Sequence, residues 1–155
     1  MIKSPTRPAP RKKILIVNCY FPEMREPIKR RNEVPDALAP VLLGGWFSTE
    51  HCEVKLYNEV HSGFIEVFQP DLLSWPDMLV MTGDLVMSGD NQSQFSSYVI
   101  GRTGHATPIH HGYGDHDGNL NLGALKVRNF ETWLGTTCYS FEYGDVHVVM
   151  MNDVH

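Results

Sequence analysis

Short apolar runs alternate with polar and proline-rich segments along the first half of the chain. "KKILIVNCYF" contains a β-branched run typical of a buried strand, "CEVKLYNEV" alternates between apolar and polar residues, and "DMLVMTG" predicts another buried strand. Between them, "PDALAPVLLGGWFSTE" has the apolar spacing of a buried helix and "DLLSWP" predicts a helical turn. This succession of strands and helices is typical of a parallel α/β sheet.

The pattern changes in the second half of the chain. "SQFSSYVIGR" predicts a helix, and "TPIHHGYG" predicts a strand that runs into a loop. "TTCYSFEY" and "VHVVMMN" alternate on either side of Gly144-Asp145, which predicts a β-hairpin. We therefore predict an α/β fold with a mixed sheet, parallel and Rossmann-like in its front half and ending in an antiparallel hairpin.

Length and charge refine this picture. A chain of 155 residues is typical of one domain, which we place at residues 13–155, after a disordered basic leader at 1–12. Residues 1–31 contain nine of the thirteen Lys and Arg residues and two acidic residues, a net charge of +7. The remainder has four basic and sixteen acidic residues, a net charge of −12, which argues against a nucleic-acid partner.

Cysteine usage and hydropathy bear on the compartment. Cys19, Cys52 and Cys138 are widely spaced and form no CxxC pair, so we expect reduced thiols in a cytoplasmic protein. No apolar run approaches the roughly 18 residues that a membrane-spanning helix needs. The sequence therefore predicts no membrane partner.

Residues 12–82 resemble the cobalamin-binding domain at the front of a group of radical S-adenosylmethionine enzymes. The stretches that carry the resemblance are "ILIVNCYFPEMREP", "ALAPVLLGGWF", "CEVKLYNEV" and "LLSWPDMLVMTG". The resemblance implies a Rossmann-like sheet that holds cobalamin at the carboxyl ends of its strands.

At that edge, Asn18, Cys19 and Tyr20 end the first strand and are the candidate cofactor-binding residues. The chain has no Asp-x-His-x-x-Gly motif to supply a lower axial ligand, and it lacks the cysteine triplet of the iron–sulfur domain. A corrinoid site would therefore be incomplete.

Residues 79–155 resemble the middle of a calcineurin-like metallophosphoesterase. "VMTGDLVMSGD" resembles the Gly-Asp-x-x-Asp strand end of that family, "GYGDHDGN" resembles its Gly-Asn-His-Asp/Glu loop, and "NFETWLGTTCYSFEYGDVHVVMMND" resembles the hairpin that follows. The resemblance implies a site for divalent metal (Mn, Zn or Fe) that acts on a small-molecule phosphate ester.

The same resemblance implies a role for each residue of the two motifs. Asp84 would be the carboxylate that bridges two metal ions, and Asp115 would bind the second ion in place of the family's Asn. His116 would stabilise the transition state or protonate the leaving oxygen. Asp117 would orient the His116 imidazole. A simpler interpretation of "GDHDGN" is a polar turn.

Several positions depart from the phosphoesterase pattern. The family's Asp-x-His motif falls on Asn18-Cys19-Tyr20, the second Asp of Gly-Asp-x-x-Asp is Met87, and no later His motif is found before His155. We therefore expect an incomplete or degenerate phosphoesterase domain whose activity is in doubt. The alternatives are a cobalamin-binding module, or an engineered or recombined chimera without a ligand, joined near Thr82-Gly83. A junction that leaves a sheet edge exposed also predicts a homo-oligomer paired through that edge.

Overall fold

The computed structural model describes residues 11–19, 47, 51–102, 104–118, 127–144 and 146–152. Residues 1–10 of the predicted basic leader, the predicted helix "PDALAPVLLGGWFSTE" apart from Phe47, and Tyr20 lie outside these residues. The prediction of disorder is wrong for Lys12, which is the first residue of a strand.

Four parallel strands form the central sheet. They are β1 (Lys12–Asn18), β2 (Cys52–Asn58), β3 (Met78–Met81) and β4 (Ile109–His111), in the spatial order β2-β1-β3-β4. β1 pairs with β2 on one side and with β3 on the other. The chain therefore has the predicted α/β fold with a parallel front half.

Five helices accompany these strands within the described part of the chain. Three of them are single turns between β2 and β3, and two are longer. None of these helices is long and apolar enough to cross a membrane. Their bounds are Glu59–Ser62 for α1, Ile65–Phe68 for α2, Pro70–Leu73 for α3, Gln92–Arg102 for α4 and Arg128–Leu134 for α5.

Both faces of the parallel sheet are covered, which explains the continuous apolar run of β1. Ile14, Leu15, Ile16 and Val17 are all 0% exposed. Leu15 and Val17 pack into a core with the helices, while Ile14 and Ile16 belong to a second core on the opposite face. A parallel strand that is buried on both faces has no polar alternation.

The predicted hairpin provides the cover of the second face. Its strands are β5 (Tyr139–Tyr143) and β6 (Val146–Met150), which pair antiparallel as a separate two-stranded sheet. Phe141 and Val148 pack into the same core as Ile14 and Ile16. The described structure therefore has three layers: helices, parallel sheet and hairpin.

Adjacent histidines on β4 link this strand to the two outer layers. The His110 ring stacks on Phe141 of the hairpin, with centroids 3.5 Å apart and planes at 13°. The His111 ring meets Tyr98 of α4 edge to face at 5.7 Å. Successive residues of a strand point to opposite faces, so the pair "HH" contributes one ring to each layer.

Candidate functional site

The carboxyl ends of β1 and β3 form the edge of the sheet where a ligand is expected. From β1 the chain crosses to β2 on one side and returns to β3 on the other side. Ligands of open α/β sheets bind in the crevice that such a reversal leaves. Asn18 connects the strand ends, because its amide oxygen accepts from Thr82 Oγ1 at 3.2 Å and its Nδ2 donates to Asn58 Oδ1 at 3.2 Å.

The other two candidate cofactor residues behave differently from Asn18. Cys19 is buried, and this burial raises the pKa of its thiol well above the usual value. The negative charge of Glu59 raises the same pKa further. The thiol is therefore neutral near pH 7 and is not poised as a nucleophile. Tyr20 lies outside the described residues.

The loops that follow β3 and β4 meet in close contact. A Cβ at Gly114 would lie 2.1 Å from Oδ1 of Asp84, and a Cβ at Gly83 would lie 2.8 Å from the backbone nitrogen of Gly114. Asp84 has a φ of 54°, the one positive value among the described non-glycine residues. Asp tolerates this left-handed region better than most residues. The structure therefore brings the two motifs together, although Asp115 follows Asp84 by thirty-one positions.

The carboxylate of Asp117 holds these loops in place. Its Oδ1 accepts from the backbone nitrogens of Leu85 and Val86 at 2.6 and 3.1 Å, and its Oδ2 accepts from Gly114 at 2.9 Å. The side chain is 0% exposed, and burial raises its pKa to about 7 against the opposing effect of these three bonds. The sequence did not predict this structural role; the turn propensity of Asp is the one signal that pointed toward it.

The His116 ring is oriented by a backbone group. Its Nδ1 lies 3.0 Å from the carbonyl oxygen of Met87. A carbonyl can only accept, so Nδ1 carries a proton and donates it to Met87. Met87 stands where the phosphoesterase pattern has its second Asp, and here its backbone positions the imidazole.

Asp84 and Asp115 are neighbouring acidic residues, and the charge of Asp115 acts on Asp84. Burial is the main cause that raises the pKa of Asp84. The backbone N–H of His116, which donates to Asp84 Oδ1 at 3.3 Å, lowers that pKa, while the charge of Asp115 and a hydrogen bond between the two carboxyl groups raise it. Asp115 is exposed, so the pair is open to solvent.

The described residues do not fit a two-metal centre. Among them, no group of three or more His, Cys, Asp and Glu side chains is placed to hold a metal ion. Two carboxylates suit a single hard cation such as Mg²⁺ or Mn²⁺, which keeps several water or phosphate ligands. The described residues therefore offer two carboxyl groups at this edge and no larger ligand group.

Comparisons with known proteins add no family to these observations. The chain matches no protein-family model, no curated protein and no solved structure. The residues from which a function can be inferred are therefore Asp84, Asp115, His116 and Asp117 at the sheet edge.

Proposed function

We propose that this chain is an incomplete metallophosphoesterase domain. It binds one divalent cation and a small phosphate ester at the joined loops, and it hydrolyses the ester only slowly. The observation that supports this proposal is the meeting of the two loops, where the His116 N–H donates to Asp84 Oδ1 and the charge of Asp115 raises the pKa of Asp84. Two carboxylates this close repel each other when both are ionised, and a cation between them removes that repulsion.

The surroundings of the pair support the binding of a phosphate oxygen beside the cation. A cation held by two carboxylates keeps ligand positions for water or phosphate oxygens, and it neutralises phosphoryl charge when bound. The backbone N–H of His116 donates to Asp84 and fixes the carboxylate. The His116 ring is held by Met87 next to this pair.

Titration with Mn²⁺ tests the proposal, with free Mn²⁺ measured by electron paramagnetic resonance. We expect one site with a Kd of roughly tens of micromolar or weaker. Asp84→Asn and Asp115→Asn remove one charge each and should each weaken binding by about tenfold or more. Asn is chosen at position 84 because it also tolerates a positive φ. Asp71→Asn is the matched control, since Asp71 is exposed on α3, away from both loops.

Two outcomes would contradict this assignment. One is wild-type protein that leaves all Mn²⁺ free at millimolar protein concentration. The other is a site that persists unchanged in both Asp84→Asn and Asp115→Asn, because the cation would then be bound elsewhere. A loss equal to that of Asp71→Asn would show a general charge effect.

The sheet order favours a second candidate, a cobalamin-type binding module. The order β2-β1-β3-β4 has its reversal at the end of β1, where the resemblance places the corrinoid. A tight corrinoid site needs several contacts that converge on the ligand. Asn18, a candidate for such a contact, already makes hydrogen bonds with the neighbouring strand ends. We expect hydroxocobalamin to bind no tighter than about millimolar. Micromolar binding in equilibrium dialysis would place this candidate first.

A further inference from the structure

The His111 ring is packed at the contact between β4 and α4. It meets the Tyr98 ring of α4 edge to face, with centroids 5.7 Å apart. The guanidinium carbon of Arg102 lies 5.3 Å from the centroid of the same Tyr98 ring. Nε2 of His111 is buried and has no hydrogen-bond partner among the described residues. The contact between helix and strand therefore includes an imidazole with an unsatisfied buried nitrogen.

The charges that act on His111 are positive. Burial is the largest cause that lowers the pKa of this imidazole to about 4, and Arg102 of α4 and His110 of the same strand lower it further. The Tyr98 phenol is neutral, because burial raises its pKa well above the usual value. From the hairpin, the Tyr139 hydroxyl donates to the backbone oxygen of His111 and not to the ring. A protonated His111 ring would therefore have no negative partner among these groups.

The carboxyl groups in the helix layer pair with Arg102. Arg102 Nη2 lies 3.0 Å from Glu59 Oε1 of α1, and Nη1 is paired with Glu66 of α2. Burial is the main cause that raises the pKa of Glu66, so this carboxyl group takes up a proton earlier than an exposed one as the pH falls. Acidification thus adds a positive charge at His111 and removes a negative charge beside Arg102. Both changes leave excess positive charge next to α4.

We propose that His111 is an acid-sensitive switch that releases α4 from the edge of the sheet. An imidazolium at Nε2 needs a hydrogen-bond acceptor, and water can supply one only when α4 moves away from β4. α4 also forms one wall of a cavity of about 600 Å³, which Cys19 and Leu85 line from the strand ends. Release of α4 therefore exposes these strand ends to solvent. The inference is independent of the proposed cation site.

The pH window of the switch follows from the pKa of His111. The value falls from 6.5 to about 4 in the folded protein, so folding favours the neutral ring. This stabilisation is fully present above a pH of about 6.5, and it is lost as the pH falls to about 4. Burial raises the pKa values of Glu66 and Asp117, whose protonation acts on the overall stability in the opposite direction. The switch is therefore measured as local opening of α4 and not as overall stability.

The three cysteines report on separate parts of the protein. Cys19 is buried in the core that α4 covers, Cys52 is buried in the core under the hairpin, and Cys138 is exposed. The probe is 4,4′-dithiodipyridine, which reacts with thiols at acidic pH, and peptide mass spectrometry measures the rate at each cysteine. Between a pH of about 6.5 and about 4.5, the rate at Cys19 relative to Cys138 should rise by about tenfold or more. The rate at Cys52 relative to Cys138 should stay constant.

Substitutions of the two adjacent histidines test whether His111 causes the opening. His111→Phe keeps an aromatic ring against Tyr98 but cannot be protonated, so the rise at Cys19 should disappear. His111→Gln is also neutral and is smaller than Phe, and it should remove the rise as well. His110→Phe is the matched control on the opposite face of the same strand, and it should keep the rise.

Three outcomes overturn the proposal. The first is wild-type protein in which the relative rate at Cys19 does not change between the two pH values. The second is a rise at Cys19 that persists in His111→Phe and His111→Gln, because another group would then cause the opening. The third is a parallel rise at Cys52, since the whole protein would then unfold and α4 would not open by itself.

Discussion

Asp117 Oδ1 lies 2.6 Å from the backbone nitrogen of Leu85, although 32 residues separate them in the chain. The second carboxyl oxygen of Asp117 accepts from Gly114 in its own loop. One buried side chain thus ties the loop after β3 to the loop after β4. The positions of Asp84 and Asp115 depend on this connection.

The first prediction concerns the pH dependence of stability. Burial raises the pKa of Asp117 from 3.8 to about 7, so the folded state binds this proton more tightly than the unfolded chain. The stabilisation of the folded state by this bound proton is fully present below a pH of about 4, and it is lost as the pH rises to about 7. The part of the free energy of unfolding that Asp117 contributes should therefore fall over this window, by at most about 4 kcal/mol. Urea unfolding at pH of about 4.5 and about 7.5 measures the difference.

Asp117→Asn isolates this group from other carboxyl groups that titrate. Burial also raises the pKa values of Glu66 and Asp84, which adds to the slope in the same direction. Asn has no titration, and its amide group cannot accept from Gly114. We expect a loss of about 1–3 kcal/mol at acidic pH and a flatter dependence on pH than in wild type. An unchanged slope in Asp117→Asn would assign the pH dependence to the other carboxyl groups.

The second prediction concerns the contact between the two loops. Gly114→Ala places a methyl group 2.1 Å from Asp84 Oδ1 and 2.4 Å from its backbone nitrogen, so the loops must separate. We expect a loss of about 1–3 kcal/mol in urea unfolding, together with weaker Mn²⁺ binding.

Gly101→Ala is the matched control for this substitution. Gly101 lies in α4, and an added Cβ there meets nothing within 4 Å. Ala is favoured over Gly inside a helix, so stability should rise by up to about 1 kcal/mol. If Gly114→Ala and Gly101→Ala are equally stable, the two loops can separate without a loss of stability.

Local sequence patterns predicted much of the fold. The apolar run at 14–17 predicted a buried strand, and the alternation around Gly144 predicted the hairpin. The spacing of apolar residues indicates which residues are buried, but it does not indicate which strand or helix packs against which. The sequence therefore did not show that the hairpin lies on the face of the sheet as a separate layer.

The candidate site was predictable to a smaller extent. Motif resemblance pointed to both loops, but the three backbone hydrogen bonds of Asp117 depend on loop conformations that no local pattern specifies. The buried ion pair likewise joins Arg102 to Glu59, which are 43 residues apart in the chain. Such distant contacts need the folded structure.

The third prediction concerns this buried ion pair. The side chains of Arg102 and Glu59 are 8% and 1% exposed, and Nη2 lies 3.0 Å from Oε1. Arg102→Met leaves the buried Glu59 without this cation, which should cost about 3–5 kcal/mol in urea unfolding. Adding Glu59→Gln removes the uncompensated charge and should restore part of the loss.

An exposed contact in the hairpin provides the comparison, in which His147 Nδ1 lies 2.5 Å from Glu142 Oε1. Glu142 and His147 are 70% and 55% exposed, so Glu142→Gln should change stability far less than Arg102→Met. If Arg102→Met and Glu142→Gln lose similar amounts of stability, burial does not explain the effect of Arg102→Met. Failure of Glu59→Gln to restore any stability would show that the loss in Arg102→Met comes from packing.

The last prediction concerns hydrolysis. Efficient two-metal catalysis activates a water on one ion and holds the phosphoryl oxygens with both, whereas the described residues bring together one pair of carboxylates. With Mn²⁺ and bis-p-nitrophenyl phosphate, release of p-nitrophenol should exceed the rate with free Mn²⁺ by only about a few-fold. Asp84→Asn and His116→Ala should each return the rate to that of free Mn²⁺, while Asp71→Asn should match wild type. Rapid turnover that both site variants abolish would show that residues beyond this pair complete a two-metal centre. Slow turnover that neither variant changes would place the reaction away from the joined loops.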